Sequence, residues 1–407
     1  MATALSRATD TARKAIIVFI VFAIFTFIFQ FISDSLRNIP VGPIITGKTS
    51  PYVSANSALN LIPRPEVTSL TLAEGTKASF SLAATGKLPL LPEVINIFEI
   101  TEPHEDFGSA LSGTNTALRL GFKQEDEKER LADDILFWQN NTKTRSMQYN
   151  KVDQEWNFQA VYGRDPATTT LQRLESKEYY LSKAPSLISQ LSLANSYFAS
   201  AKSRVDFINV SSQAKFTMEL NPGKASYARV ALYKRVESAT LNANYRPGPT
   251  ETPVIAIFSE VRKYNYLNGP SNFVVQGKAE KPEVDTLSFD FKDYRYGAMG
   301  VYPVITPEEA WNNIQNNKGY LYWIRKEGQD IFVVTEQLKV LKFDVDTTTV
   351  RTIYIEPDQW EQNKPWTHFL QPFYIFEGVA TLEGGTKAEF AFIIEALKNE
   401  SYLAPSQ

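Results

Sequence analysis

FLQPFYIFEGVATLEGGTKAEFAFIIEAL (Phe369–Leu397) decides how this chain reads. Two aromatic-rich apolar runs flank Glu383-Gly384-Gly385. Adjacent glycines supply the positive φ that a tight hairpin turn requires. The pattern predicts strands at Phe369–Leu382 and Lys387–Leu397 joined as a hairpin. Upstream of it, Tyr320–Arg325, Ile331–Phe343 and Val350–Ile355 read as further strands. A helix start precedes them. Thr306 can cap, Pro307 suits the first helical position, and Glu309 completes a capping box. That helix carries Ala310, Trp311 and Ile314 and is expected to end near Lys318-Gly319.

Earlier still, Val254–Tyr264, Asn272–Ala279 and Thr286–Tyr296 read as strands, and Arg246-Pro247-Gly248-Pro249 as a domain boundary. In the first half, Val67–Leu82 alternates around Glu74-Gly75 and predicts a hairpin. Glu93–Thr101 reads as a strand, and a short helix within Phe107–Phe122 is expected to end at Gly121. The charged stretch Lys123–Asp134 reads as a solvated helix or loop. Ile135–Trp138, Ser146–Lys151 and Trp156–Tyr162 follow as strands. A helix is expected over Ala184–Lys202, with Pro185 in its first turn. Ala214–Leu220 and Ser226–Val236 read as strands around Asn221-Pro222-Gly223. Helices set among antiparallel strands with short connections give an α+β class, in which helices cover one face of each sheet. Spacing for βαβ crossovers is not evident, so a doubly wound sheet is rejected. Two folded domains are expected, at 66–245 and 250–407.

Ala15–Ile32, AIIVFIVFAIFTFIFQFI, carries no charge over eighteen residues. As a helix it would span ~27 Å, close to the hydrocarbon thickness of a bilayer. Arg7, Arg13 and Lys14 precede it, which places residues 1–14 in the cytoplasm and the remainder outside the membrane. Ser33-Asp34-Ser35-Leu36-Arg37 is a poor cleavage site, so the segment reads as an uncleaved, single-pass transmembrane helix. Phe19, Phe22, Phe25 and Phe29 line one side of it, against lipid or partner helices. Residues 33–65 are proline-rich and read as a tether or an irregular docking segment.

The chain has no cysteine, which excludes disulfides, thiolate nucleophiles and cysteine-based zinc sites. The net charge of −3 gives no footprint for nucleic acid. No phosphate-binding glycine loop and no nucleophile elbow occur. Of the two histidines, His104 sits in the acidic TEPHEDF stretch and reads as part of a solvated loop. His368 lies among aromatics and reads as packed or capping. No catalytic constellation, cofactor site or metal site is identified. Tyr320, Tyr322, Trp323, Trp360 and Trp366 form an aromatic cluster with two readings, sheet core or interaction surface.

Two segments carry a family resemblance. YPVITPEEAWNNIQNNKGYLYW (Tyr302–Trp323) and FLQPFYIFEG (Phe369–Gly378) resemble the strand-to-helix entry and an aromatic strand of PepSY-like domains. Such domains occur in the YycH/YycI group, the membrane-anchored accessory proteins of a bacterial cell-wall histidine kinase. The resemblance covers roughly Tyr302–Leu397. It implies a membrane helix, an α+β extracytoplasmic region and a regulatory binding role, and it places no functional residue. The resulting expectation is a non-catalytic, membrane-anchored envelope protein that binds a protein or a wall component. The alternatives are a structural subunit of an envelope assembly and a wall-polymer hydrolase.

Overall fold

The computed structural model describes residues 51–404, except 84–85, 129–131, 170–173, 194–195, 212–215, 244, 246–255, 278–283, 293 and 331–336. The expected anchor Ala15–Ile32, with Phe19, Phe22, Phe25 and Phe29, lies outside the described residues. Among the described residues, no helix is long and apolar enough to cross a membrane.

The fold is mostly β, with two sheets and few helices. The ten-stranded sheet begins with β1 (Ser79–Ala83) and β2 (Val94–Ile100). The eight-stranded sheet takes β3 (Ile135–Gln139), β4 (Arg145–Asn150), β5 (Glu155–Ala160), β6 (Lys202–Val210), β7 (Phe216–Met218) and β8 (Tyr227–Tyr233). β9 (Arg235–Ala239) and β10 (Ile257–Arg262) return to the first sheet, whereas β11 (Ser271–Gly277) and β12 (Val284–Lys292) join the second. The rest of the ten-stranded sheet is β13 (Tyr296–Pro303), β14 (Tyr320–Lys326), β15 (Val340–Asp346), β16 (Arg351–Ile355), β17 (Phe369–Leu382) and β18 (Lys387–Glu395).

The eight-stranded sheet runs β3-β4-β5-β12-β11-β8-β6-β7, antiparallel throughout. One face is apolar. Phe158, Phe273, Phe289 and Val230 pack there with Ala117 from the helix Ser109–Arg119 and with Tyr180, Ala184 and Leu187 from the helix Lys177–Gln190. The predicted β17/β18 hairpin is the spine of the other sheet, in register from Phe373↔Glu395 to Thr381↔Lys387. The helix Pro307–Gln315 lays Ala310, Trp311 and Ile314 into its core, with the Trp311 ring 6.0 Å from Phe376. The capping box is formed: Glu309 N–H donates to Thr306 Oγ1 at 3.1 Å, and Thr306 N–H donates to Glu309 Oε2 at 2.7 Å.

Several local expectations are overturned by long-range pairing. The ten-stranded sheet is mixed, because β1 pairs parallel with β15 and β10 pairs parallel with β16. The turn at Glu74-Gly75 exists, but no hairpin forms around it. Ser79–Ala83 joins β15, while the Leu70 and Ala73 N–H groups donate to the carbonyls of Leu321 and Leu338. The helix expected over Ala184–Lys202 instead runs Lys177–Gln190, because Ser176 caps it through Tyr179 N–H, and Lys202 opens β6. Pro185 therefore falls inside the helix. β7 and β8 do not pair across Asn221-Pro222-Gly223, since β6 lies between them and bonds to both. Within the charged stretch, Asp126 is buried and accepts from Lys123 N–H. Finally, residues 51–65 of the expected tether lie against the fold. Ile62 is 0% exposed, bonds to Ser401 and Leu403, and bridges Tyr402 in parallel.

Candidate functional site

The parallel pairing of β10 with β16 sets Arg262 opposite Ile355, and Glu356 N–H donates to the Arg262 carbonyl at 2.8 Å. Both strands therefore end at the same place. Their outgoing loops, 263–270 and 356–368, lie over the face of the eight-stranded sheet opposite its main apolar core and wall a cleft of ≈ 450 Å³. Concave clefts lined by a few convergent polar groups are recurrent ligand sites.

Strand alternation builds the floor. On β12, Phe289 and Phe291 belong to the apolar core, so Asp290 and Lys292 fall on the opposite face. β11 places Asn272 opposite Asp290, and Asn272 Nδ2 donates to Asp290 Oδ2 at 2.8 Å. β5 places Glu155 opposite Lys292, with Lys292 Nζ 3.4 Å from Glu155 Oε2. Asn272 also clamps the first wall: its Oδ1 accepts from Gly269 N–H at 3.1 Å, and its Nδ2 donates to the Gly269 carbonyl at 3.0 Å. A Cβ on Gly269 would lie 2.2 Å from the Leu232 carbonyl oxygen, so only glycine lets the loop lie so close to β8.

The second wall is held from beneath. Lys292 Nζ donates to the Asp358 carbonyl at 3.2 Å and Lys263 Nζ to the Pro357 carbonyl at 3.3 Å. Glu361 N–H donates to Thr367 Oγ1 at 2.9 Å, closing the loop on itself. Trp360 stacks on His368 at 4.4 Å and 14°. Trp366 lines the cleft and meets Tyr264 edge-on, 5.8 Å away at 89°.

Under the cleft lie buried ions. Glu356 accepts from Lys234 Nζ at 2.8 Å and from the Tyr296 hydroxyl at 2.8 Å, with Lys263 Nζ 3.3 Å from its other oxygen. Burial pushes the Glu356 carboxyl up, but the charges of Lys234 and Lys263 outweigh it and hold the group below its ordinary value. Asp290 behaves oppositely. It is open to water yet sits at the base of a concavity, and burial raises its carboxyl despite the Asn272 amide and the charges of Arg229 and Lys263.

Of the aromatics singled out in the sequence, Trp366 lines this cleft, and Trp360 packs on His368 beside it. Tyr320, Tyr322 and Trp323 join an adjoining cluster. There Trp323 stacks on Tyr266 at 4.5 Å, and the Tyr322 hydroxyl donates to the Lys263 carbonyl, where the first wall begins. Simple alternation would put Tyr320, Tyr322 and Ile324 on one face. A bulge between Leu321 and Trp323 instead sends Leu321 and Ile324 into the main core and leaves the three aromatics on the other side. Sequence reading missed Asp290, Asn272, Lys263 and Glu155. The alternation S-F-D-F-K at 288–292 was the one available signal.

The other acidic stretch, TEPHEDF, is paired within itself and with Lys151 and Arg295. His104 Nε2 lies 3.3 Å from Asp106, Glu105 accepts from Lys151 at 2.9 Å, and Asp106 also pairs with Arg295. Among the described residues, no group of three or more His, Cys, Asp or Glu side chains converges as a metal site. The chain matches no family model, no curated protein and no solved structure.

Proposed function

We propose that this chain is a membrane-anchored envelope protein whose extracytoplasmic region binds a polar ligand in the cleft between loops 263–270 and 356–368. The observation that carries the reading is the cleft itself. Its floor is a row of ionisable and amide side chains, and its walls are tied to that floor by hydrogen bonds from Asn272, Lys263 and Lys292. Preorganised polar groups around a concavity are what a binding site requires. The uncharged run Ala15–Ile32 supports attachment to a bilayer, with residues 1–14 cytoplasmic. The resemblance of Tyr302–Trp323 and Phe369–Gly378 to PepSY-like modules supports a regulatory rather than a chemical role.

The absence of native cysteine makes the test clean. The full chain carrying Gln359→Cys on the cleft rim is coupled to a photoactivatable maleimide and irradiated with envelope fractions. A distinct adduct from this position, but none from the exposed Lys339→Cys, is the expected result. Equal labelling from both positions, or none from either, overturns the reading. Protease added to intact host cells should remove the C-terminal bulk, and its survival would refute the topology.

A second reading, hydrolysis of a bound polymer, is favoured by one pair of side chains. Asp290 and Glu155 lie on neighbouring strands and both line the cleft, as a pair of carboxyl groups for glycoside cleavage would. Turnover of wall polymer that disappears in Asp290→Asn would establish it.

A further inference from the structure

Resting on the reading of this cleft as a ligand site, we infer that its ligand is a neutral glycan, with Trp366 as the stacking platform. Charge decides against ionic ligands. Each lysine of the cleft already has a partner within the fold. Lys263 is bound by Glu356 and the Pro357 carbonyl, Lys292 by Glu155 and the Asp358 carbonyl, and Lys364 by Glu361 at 2.8 Å. Against them stand the carboxylates of Glu155, Asp290, Asp358 and Glu361. A phosphate or another anion would meet more acid than base and would have to break existing ion pairs. A cation would compete with lysines for Glu155 and Glu361, and among the described residues no three carboxylates converge to hold one.

A polyhydroxylated ligand faces neither cost. Hydroxyls both donate and accept, so they can bind carboxylates and amides in one site. The cleft offers both kinds of group. Asp290 accepts at the floor, and Asp358 and Gln359 are exposed at the rim. Asn268, whose oxygen is taken by Arg229 at 2.8 Å, retains its amide nitrogen as a donor. The apolar C–H face of a pyranose packs on aromatic rings, and half-buried Trp366 is the indole that lines the cleft, braced edge-on by Tyr264. The cleft volume of ≈ 450 Å³ falls in the range of small-molecule sites and suits about two pyranose rings.

The test uses the full chain in a sugar-free detergent, titrated calorimetrically against an array of neutral oligosaccharides, a mixture of short peptides, and inorganic phosphate. The expected result is binding of a neutral oligosaccharide, weakened at least tenfold by Trp366→Ala and several-fold by Gln359→Ala. Gln359 is exposed, so the second variant reports on contact even if the first perturbs the loop. Peptide or phosphate binding that is lost in Trp366→Ala, with no response to any glycan, overturns the glycan assignment but leaves the cleft reading standing. If none of the probes binds in a manner sensitive to Trp366 or Gln359, both fall.

Discussion

Lys234 and Glu356 meet at 2.8 Å with both side chains wholly shielded from water. Lys234 follows the last strand residue of β8, and Glu356 follows β16, so this pair joins the eight-stranded sheet to the ten-stranded one directly beneath the cleft. A buried ion pair is weak evidence of net stabilisation, but breaking one half is costly because the other charge is left unpaired.

Lys234→Met should therefore destabilise the chain by about 3–5 kcal/mol. Lys263 and the Tyr296 hydroxyl still reach Glu356 and put the effect toward the lower end. Adding Glu356→Gln should recover part of the loss by removing the stranded charge. Denaturant unfolding of the single and double variants checks this. A single variant as stable as the parent would contradict the buried-pair assignment.

Acid stability should depend on Glu260. Burial alone would raise this carboxyl, but Arg262, Arg351 and Lys202 outweigh burial and hold it at about 2, against an ordinary 4.5. A depressed carboxyl contributes stability above pH 4.5 that is lost as pH falls toward 2. The contribution is on the order of 3 kcal/mol. Glu260→Gln should lower stability at pH 7 and flatten the stability profile between those pH values. An unchanged slope between parent and variant would sink the prediction.

Gly269→Ala should loosen the first wall. The added methyl meets the Leu232 carbonyl, so the loop must lift from β8 and weaken the Asn272 bonds to Gly269. A cost of about 1–3 kcal/mol is expected. Faster hydrogen exchange confined to 263–272, together with weaker ligand binding, is the signature to measure.

Ile62→Ala distinguishes a docked segment from a free tether. Ile62 is 0% exposed within the core that contains Tyr402 and Leu397. Emptying that position should cost about 2–5 kcal/mol, whereas truncation in a free tether would cost nothing. Thermal unfolding decides between the two.

How much was legible follows from the range of the interactions. The start and buried face of the helix at 307–315 are legible because its capping box, first-turn proline and apolar spacing lie within a dozen residues of one another, although it ends at Gln315 rather than near Lys318-Gly319. The hairpin at 369–395 was read correctly because its turn glycines and flanking runs are contiguous. Pro185 misled for the opposite reason. It suits a first helical turn in isolation, but Ser176 and the packing of Tyr180 and Ala184 started the helix earlier. Of the cleft, only Trp366 stood out, since an aromatic is conspicuous by type while Asp290 looks like any surface acid.

Local chemistry by itself therefore determined the strands that lie in continuous runs, the capped helix, the charge balance and the greasy uncharged segment near the start. Each depends on residues adjacent in the chain. Tertiary structure alone decided that β1 and β10 take parallel partners, that β6 separates β7 from β8, and that loops 263–270 and 356–368 emerge together over Asp290. Those choices join segments separated by up to hundreds of residues. They are governed by which buried faces and ion pairs can be satisfied at once, a condition no local window contains.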